Sequence, residues 1–397
     1  MNRSIERVLT THVGSLPRPS DLLDAIEAEQ QDRPTDKDTR AARLRRAVKE
    51  VVCTQVEIGI DIIDDGEFGK PSFVSYVNER LGGFEIDRDS PRQNPWAQSR
   101  EARSFPEFYA ASPAAARPNR MICIAPVTYR GMASLQIDID NLKHALDGAN
   151  VLDVFMPAIS PASAADWLRH GYYKSDEEYL FAIAEALREE YEAIVRAGFL
   201  LQIDDPQLVT YWTKTPDLTL EQWRKWAEMR VEALNHALRN IPEDRVRYHL
   251  CWGSWHGPHA YDLELDRIVD LVLLVKAQAY LIEGANVRHE HEVAVWEKVK
   301  LPPGKILIPG VIDSVTTFVE HPDLVAQRIL QYARIVGREN IIVAPDCGFG
   351  TFSAWAPRVH PEIMWAKFHS MVEGARIASE RLWGSHLSER QRERVKP

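Results

Sequence analysis

Phe199-Leu200-Leu201-Gln202-Ile203-Asp204-Asp205-Pro206 sets a nearly unbroken apolar run against two adjacent acids and a proline. So short a run, without polar alternation, reads as a strand buried on both faces, the signature of a parallel sheet covered by helices. Comparable runs recur at Leu9–Val13, Ile60–Asp64, Met121–Ala125, Val151–Met156, Arg247–Cys251, Ala279–Glu283, Lys305–Pro309 and Asn340–Ala344. Amphipathic stretches lie between them at Asp36–Ile58, Ser175–Ala197, Thr219–Asn240, Asp262–Lys276, Pro322–Val336 and Pro361–Leu382. Ser175, with Glu178 three residues on, is a predicted helix N-cap.

Repeated βα units imply right-handed crossovers and a parallel sheet. Acids, His or Cys cluster where the runs end: Asp64, Asp65 and Glu67; Asp204 and Asp205; His249 and Cys251; Glu283; Asp313; Asp346 and Cys347. One site fed by many strand ends suits a closed (β/α)8 TIM barrel of the α/β class better than an open sheet. The expected organisation is one barrel domain over residues 1–397, with one of the nine runs outside the ring. Gly82–Arg120, rich in Pro, Ser, Arg and Ala, breaks the rhythm and reads as an insertion after the second βα unit, a lid or an oligomer contact.

Composition narrows the class. The 397 residues carry a net charge of −10, and no basic block supports nucleic-acid binding. No apolar run approaches the roughly 20 residues of a membrane span, and the polar start lacks a signal core. The expectation is a cytoplasmic enzyme whose partners are small molecules, with a homo-oligomer open. Of the four cysteines, Cys53 and Cys123 read as small buried hydrophobes.

His249 and Cys251 stand two apart in a strand and so point to the same side. Cys347 and Glu283 end other strands. One nitrogen, two sulfurs and one oxygen suit zinc, which is borderline soft and prefers four tetrahedral ligands.

His249-Leu250-Cys251, Ile282-Glu283-Gly284-Ala285-Asn286 and Pro345-Asp346-Cys347-Gly348 resemble the H-x-C, strand-end Glu and D-C-G motifs of the cobalamin-independent methionine synthase superfamily. Further segments agree in the same order: TTHVGSLPRP from Thr10, EIGIDIIDDGEFGK from Glu57, LQIDDPQL from Leu201 and IPGVID from Ile308. The resemblance covers most of the chain. It implies the single catalytic barrel of that superfamily, whose short members include epoxyalkane:coenzyme M transferase. It also implies zinc on His249, Cys251, Glu283 and Cys347, with the Glu283 carboxylate yielding its place to a substrate thiol. Gly14 and Ser15, with His12 beside them, match the loop that holds an amino-acid carboxylate. Glu67 and Asp204 match the acids that hold its ammonium, and Asp313 joins Glu283 as a catalytic position. The implied reaction is methyl transfer to a thiol, most simply homocysteine.

One departure is informative. Folate-using members carry a His two residues after the Asp matched by Asp313, where this chain has Val315. The methyl or alkyl donor is therefore open between a folate, a corrinoid protein, an aryl methyl ether and an epoxide. His256, His259, His289 and His291 are candidates to replace the missing His, and Trp252, Trp255, Tyr211 and Trp212 are candidates to stack on a flat donor. A barrel hydrolase with zinc-activated water fits less well, because two thiolates weaken zinc's acidity.

Overall fold

The computed structural model describes residues 1–30, 36–88, 96–111, 121–351 and 359–384. Ten strands are present among them: β1 (Leu9–Thr10), β2 (Ile62–Ile63), β3 (Leu81–Ile86), β4 (Met121–Tyr129), β5 (Asp153–Ile159), β6 (Leu200–Asp204), β7 (Val246–Leu250), β8 (Ala279–Ile282), β9 (Ile306–Ile312) and β10 (Ile342–Pro345). Eight form one parallel sheet in the order β1-β10-β9-β8-β7-β6-β5-β2. A parallel bridge between Thr11 and Ile62 joins its two ends, so the sheet closes into the expected barrel. Its interior is filled by Leu9, Ile62, Phe155, Leu200, Leu281, Ile308 and Ile342. Arg247 also lies inside, fully buried, with its guanidinium 4.1 Å from the centre of the Phe155 ring and donating to Thr11 Oγ1 and the His12 carbonyl.

The run outside the ring is Met121–Ala125. It belongs to β4, which pairs antiparallel with β3. The insertion expected over 82–120 is thus framed by a two-stranded stem, and its described helices, Arg100–Ser104 and Pro106–Ala111, follow. Arg100 donates to the carbonyls of Trp212, Thr215 and Leu218. The buried Glu101 accepts the Ala260 N–H at 2.7 Å. These contacts fasten the segment across the loops after β6 and β7.

Ser175 caps its helix by accepting the Glu178 N–H, and Thr219 forms a complete capping box with Gln222. Two expectations need correction. The stretch Asp262–Lys276 is not one helix: it contains a 3-10 turn at Leu265–Arg267 and a single helical turn at Val269–Val272. Its apolar residues Leu263, Leu265, Ile268 and Val272 are buried even so, because tertiary burial satisfies them without a regular helix. Cys123 is buried as expected, but Cys53 is exposed. It sits on the solvent side of the helix Lys37–Ile58, whose buried face is carried by Val48, Val51, Val52 and Gln55. None of the described helices is long and apolar enough to cross a membrane.

Candidate metal centre

His249 is the penultimate residue of β7, and Cys251 directly follows the strand. Cys347 follows β10. Closing the barrel brings the ligand atoms of His249, Cys251 and Cys347 within 4.8 Å of one another, all three residues buried. The parallel register places Asp204 of β6 directly beside His249, and Asp204 Oδ1 meets His249 Nδ1 at 2.9 Å. A carboxylate on one ring nitrogen fixes the tautomer and turns the other toward a metal. His249 Nε2 is buried without a hydrogen-bond partner, and it is the nitrogen aimed at the two sulfurs. Buried imidazole nitrogens are rarely left so. A nitrogen and two sulfurs converging in this way fit zinc.

The thiols share a proton. Cys251 donates to Cys347 Sγ at 3.2 Å. That hydrogen bond, with His249 adding to it, lowers the Cys347 pKa to about 6. The same pairing and burial push the Cys251 thiol well above its ordinary value. Burial acts against the His249 cation, but Asp204 and Cys347 outweigh it and hold its pKa at about 10.

Glu283 lies outside the three-donor set. Its Oε1 accepts the Trp252 N–H at 2.8 Å, and its Oε2 accepts from Asn286 Nδ2 at 2.7 Å and Arg288 Nη2 at 2.8 Å.

The loops after β1 and β2 hold other expected residues, and the Ser15 carbonyl accepts the Phe349 N–H just beyond Cys347. Gly14 adopts φ +121°, and a Cβ there would lie 2.6 Å from Pro157 Cγ and 3.2 Å from Glu67 Oε1. Only glycine fits. Ser15 is buried with its Oγ unpartnered in the protein. Glu67 is held in the left-handed region at φ +57°, and Lys70 Nζ stands 3.4 Å from its Oε2. Burial raises the Glu67 pKa, Lys70 offsets part of this, and the charge of Asp204 raises it further.

His12 is a support for the loop. Its Nε2 meets Gln55 Oε1 at 2.7 Å, and its Nδ1 accepts the Gly14 N–H. Burial lowers its pKa to about 3, so the ring is neutral. Asp313 caps its own turn, accepting the Val315 and Thr316 N–H groups.

The four candidate histidines divide. His256 and His291 are exposed. His259 and His289 are buried and converge on Asp262 Oδ2, at 2.8 and 3.3 Å. The candidate stacking aromatics already have neighbours. Tyr211 stacks on Trp226 at 4.0 Å, and Arg100 covers Trp212. Trp255 contacts both Trp96 and His259, while Trp252 is buried against His289. Sequence reading missed two contacts at the site: that of Asp204 with His249, and that of Arg288 with Glu283. Register alone could have shown the first.

A family model described as the catalytic domain of cobalamin-independent synthase matches residues 8–156 and 158–375. Among curated relatives, a methionine synthase of Saccharolobus islandicus is 26% identical over 376 residues, covering 94% of this chain and 95% of the relative. One from Sulfurisphaera tokodaii is 27% identical, covering 94% and 93%. A solved B12-independent methionine synthase from Shewanella sp. W3-18-1, in complex with selenomethionine, superposes with a TM-score of 0.71 at 19% identity, covering 95% of this chain and 99% of that one. A second, from Listeria monocytogenes and described as putative, gives 0.65 at 21%, covering 94% and 98%.

Proposed function

Since the chain belongs to the family of cobalamin-independent synthase catalytic domains, we propose that it methylates the sulfur of homocysteine at a zinc ion held by His249, Cys251 and Cys347. The observation that carries this reading is the convergence of one imidazole and two sulfurs at the barrel mouth. Bound zinc supplies the Lewis acidity that keeps a substrate thiol, with an ordinary pKa near 8.5, in its thiolate form at neutral pH.

The protein's own groups do the rest. Asp204 orients His249. Ser15 Oγ is the donor for the substrate carboxylate. Glu67 and Asp204 receive the ammonium, whose positive charge offsets the burial, and the smaller repulsion from Asp204, that raise the Glu67 pKa. The substrate sulfur attacks the methyl carbon, and the donor's bond to that carbon breaks as the new C–S bond forms.

Two acids at this place favour an amino-acid thiol over a sulfonate thiol such as coenzyme M, which they would repel. Alkylation of another thiol is the second reading. In either reading, Val315 at the position of the family His and an Asp313 that accepts two N–H groups of its own turn leave a folate nitrogen without an assigned acid and favour a non-folate donor.

Titrating the zinc-loaded protein with homocysteine and with coenzyme M, while following proton release and zinc–sulfur coordination, tests the proposal. Homocysteine should bind with release of a proton. Binding of coenzyme M alone would replace the first reading with the second, and binding of neither thiol would overturn both.

A further inference from the structure

Glu67 stands where a side chain rarely stays. With His259 it is one of two described non-glycine residues at positive φ, a region in which the Cβ of an L-residue crowds the following carbonyl. Such a turn persists only where its surroundings over-determine it. Two restraints are local: the Glu67 N–H bonds Asp65 Oδ1 at 2.8 Å, and the Glu67 carbonyl accepts the Lys70 N–H at 3.1 Å. The carboxylate itself is less tied. Its Oε2 is buried with no hydrogen-bond partner in the protein, so the backbone decides where it points.

The restraint from outside the turn is Arg18, three residues past Ser15. Its Nη2 donates to the carbonyls of Glu67 and Lys70, both at 2.7 Å, and its Nη1 donates to the Gly350 carbonyl at 2.8 Å. One guanidinium thus joins its own loop after β1 to the loop after β2 and to the loop that follows Cys347. Arg18 is only 6% exposed. Burial works against its charge, and the carboxylates of Glu67, Asp65 and Asp64 offset part of this. A planar fork can hold two loops at once, which the point charge of a lysine cannot do. The Ser15 loop has a second attachment: the Ser15 carbonyl accepts the Phe349 and Gly350 N–H groups at 2.9 and 3.1 Å. Ser15 therefore keeps its place without Arg18, and the Glu67 turn does not.

We propose that Arg18 is a positioning residue that locks the left-handed Glu67 turn against the loops of Ser15 and Cys347, and so sets the pocket's selectivity for thiols that carry an α-amino group. The proposal rests on the amino-acid thiol reading above. Arg18 touches no substrate; it acts by fixing the distance from the carboxylate of Glu67 to the rest of the pocket.

The test compares two thiols that differ only in the amino group, homocysteine and 4-sulfanylbutanoate, titrated into the zinc-loaded full chain as wild type, Arg18→Met, Glu67→Gln and the double variant. Wild type should favour homocysteine about tenfold to a hundredfold, the size of one charge-assisted hydrogen bond. Arg18→Met should cut that preference about tenfold, while zinc affinity and 4-sulfanylbutanoate affinity each change less than about threefold. In the Glu67→Gln background, Arg18→Met should leave the preference where it is. A merely structural role would weaken both thiols alike and leave their ratio unmoved. Arg18→Lys serves in the same cycle if the methionine variant does not fold. An unchanged ratio, or loss of zinc together with both thiols, would overturn the proposal and leave the functional reading intact. A wild-type protein that binds neither thiol, or that does not prefer homocysteine, would overturn the amino-acid thiol reading and the proposal with it.

Discussion

Two buried polar clusters in this barrel are built from similar groups and left in different states of completion. Beneath the β3–β4 stem, Glu190 accepts hydrogen bonds from Tyr76 and Tyr129 and pairs with Arg80 at 3.3 Å, and Arg80 also bonds Asp138. At the barrel mouth, Ser15 Oγ, Asp64 Oδ2 and His249 Nε2 have no hydrogen-bond partner in the protein. A buried polar group left unpaired costs about 1–3 kcal/mol. The first cluster turns most of its polar groups on one another, Arg80 Nη1 having an ion pair but no hydrogen bond, and holds the fold. The second keeps some unspent, which is the arrangement expected where something from outside must bind.

Three substitutions test that division. The largest effect is expected for Cys347→Ser. Structural zinc sites bind with about 10–16 kcal/mol, so on the proposed reading the loss of one of three donors should lower metal affinity roughly 1000-fold, measured by chelator competition, with the circular-dichroism spectrum unchanged. Full zinc retention would remove Cys347 from the centre. Next, Arg80→Met should destabilise the protein by about 3 kcal/mol in denaturant melts, the low end for breaking a buried pair, because Lys70 still faces Glu190. Its metal stoichiometry should stay as in wild type; loss of metal would mean that the two clusters are one. The smallest effect is expected for Ser15→Ala. Stability should stay within about 0.5 kcal/mol, and the homocysteine dissociation constant should rise about threefold to tenfold, one neutral hydrogen bond. A marked loss of stability would show that the hydroxyl is structural.

The barrel could be read from the chain because its strands are apolar on both faces and end in chemistry-bearing residues. That one run lies outside the ring could be counted, but not that it is Met121–Ala125, because an apolar run looks the same whether a strand lines a barrel or forms half of a hairpin. Asp262–Lys276 misleads because spacing records which residues are buried, and Leu265 and Ile268 are buried in a loop. At the site, residue type made His249, Cys251 and Cys347 candidates and the ordered motifs singled them out; their ligand atoms converge. It could not reveal that Asp204 orients His249, since that follows from the alignment of β6 with β7. Nor could it reveal Arg288, whose partners Glu283, Asp262 and His259 come from two separate loops. Asp313 shows the converse: a strand-end acid that looks chemical in sequence holds two backbone N–H groups of its own turn.

The closure of the barrel bears on that site. β1 and β2 are two residues each, and one bridge, Thr11 to Ile62, joins them. Side chains stand in for the missing ladder: Thr11 Oγ1 donates to the Ile62 carbonyl, and Asp61 Oδ2 accepts the Thr10 N–H. This is the seam of the cylinder, and Ser15 and Glu67 lie on the loops that leave its two lips. A molecule gripping both would act as a staple across the joint. Occupancy of the pocket and the breathing of the seam would then be two readings of one equilibrium, with amide exchange at Thr11 and Ile62 as its gauge.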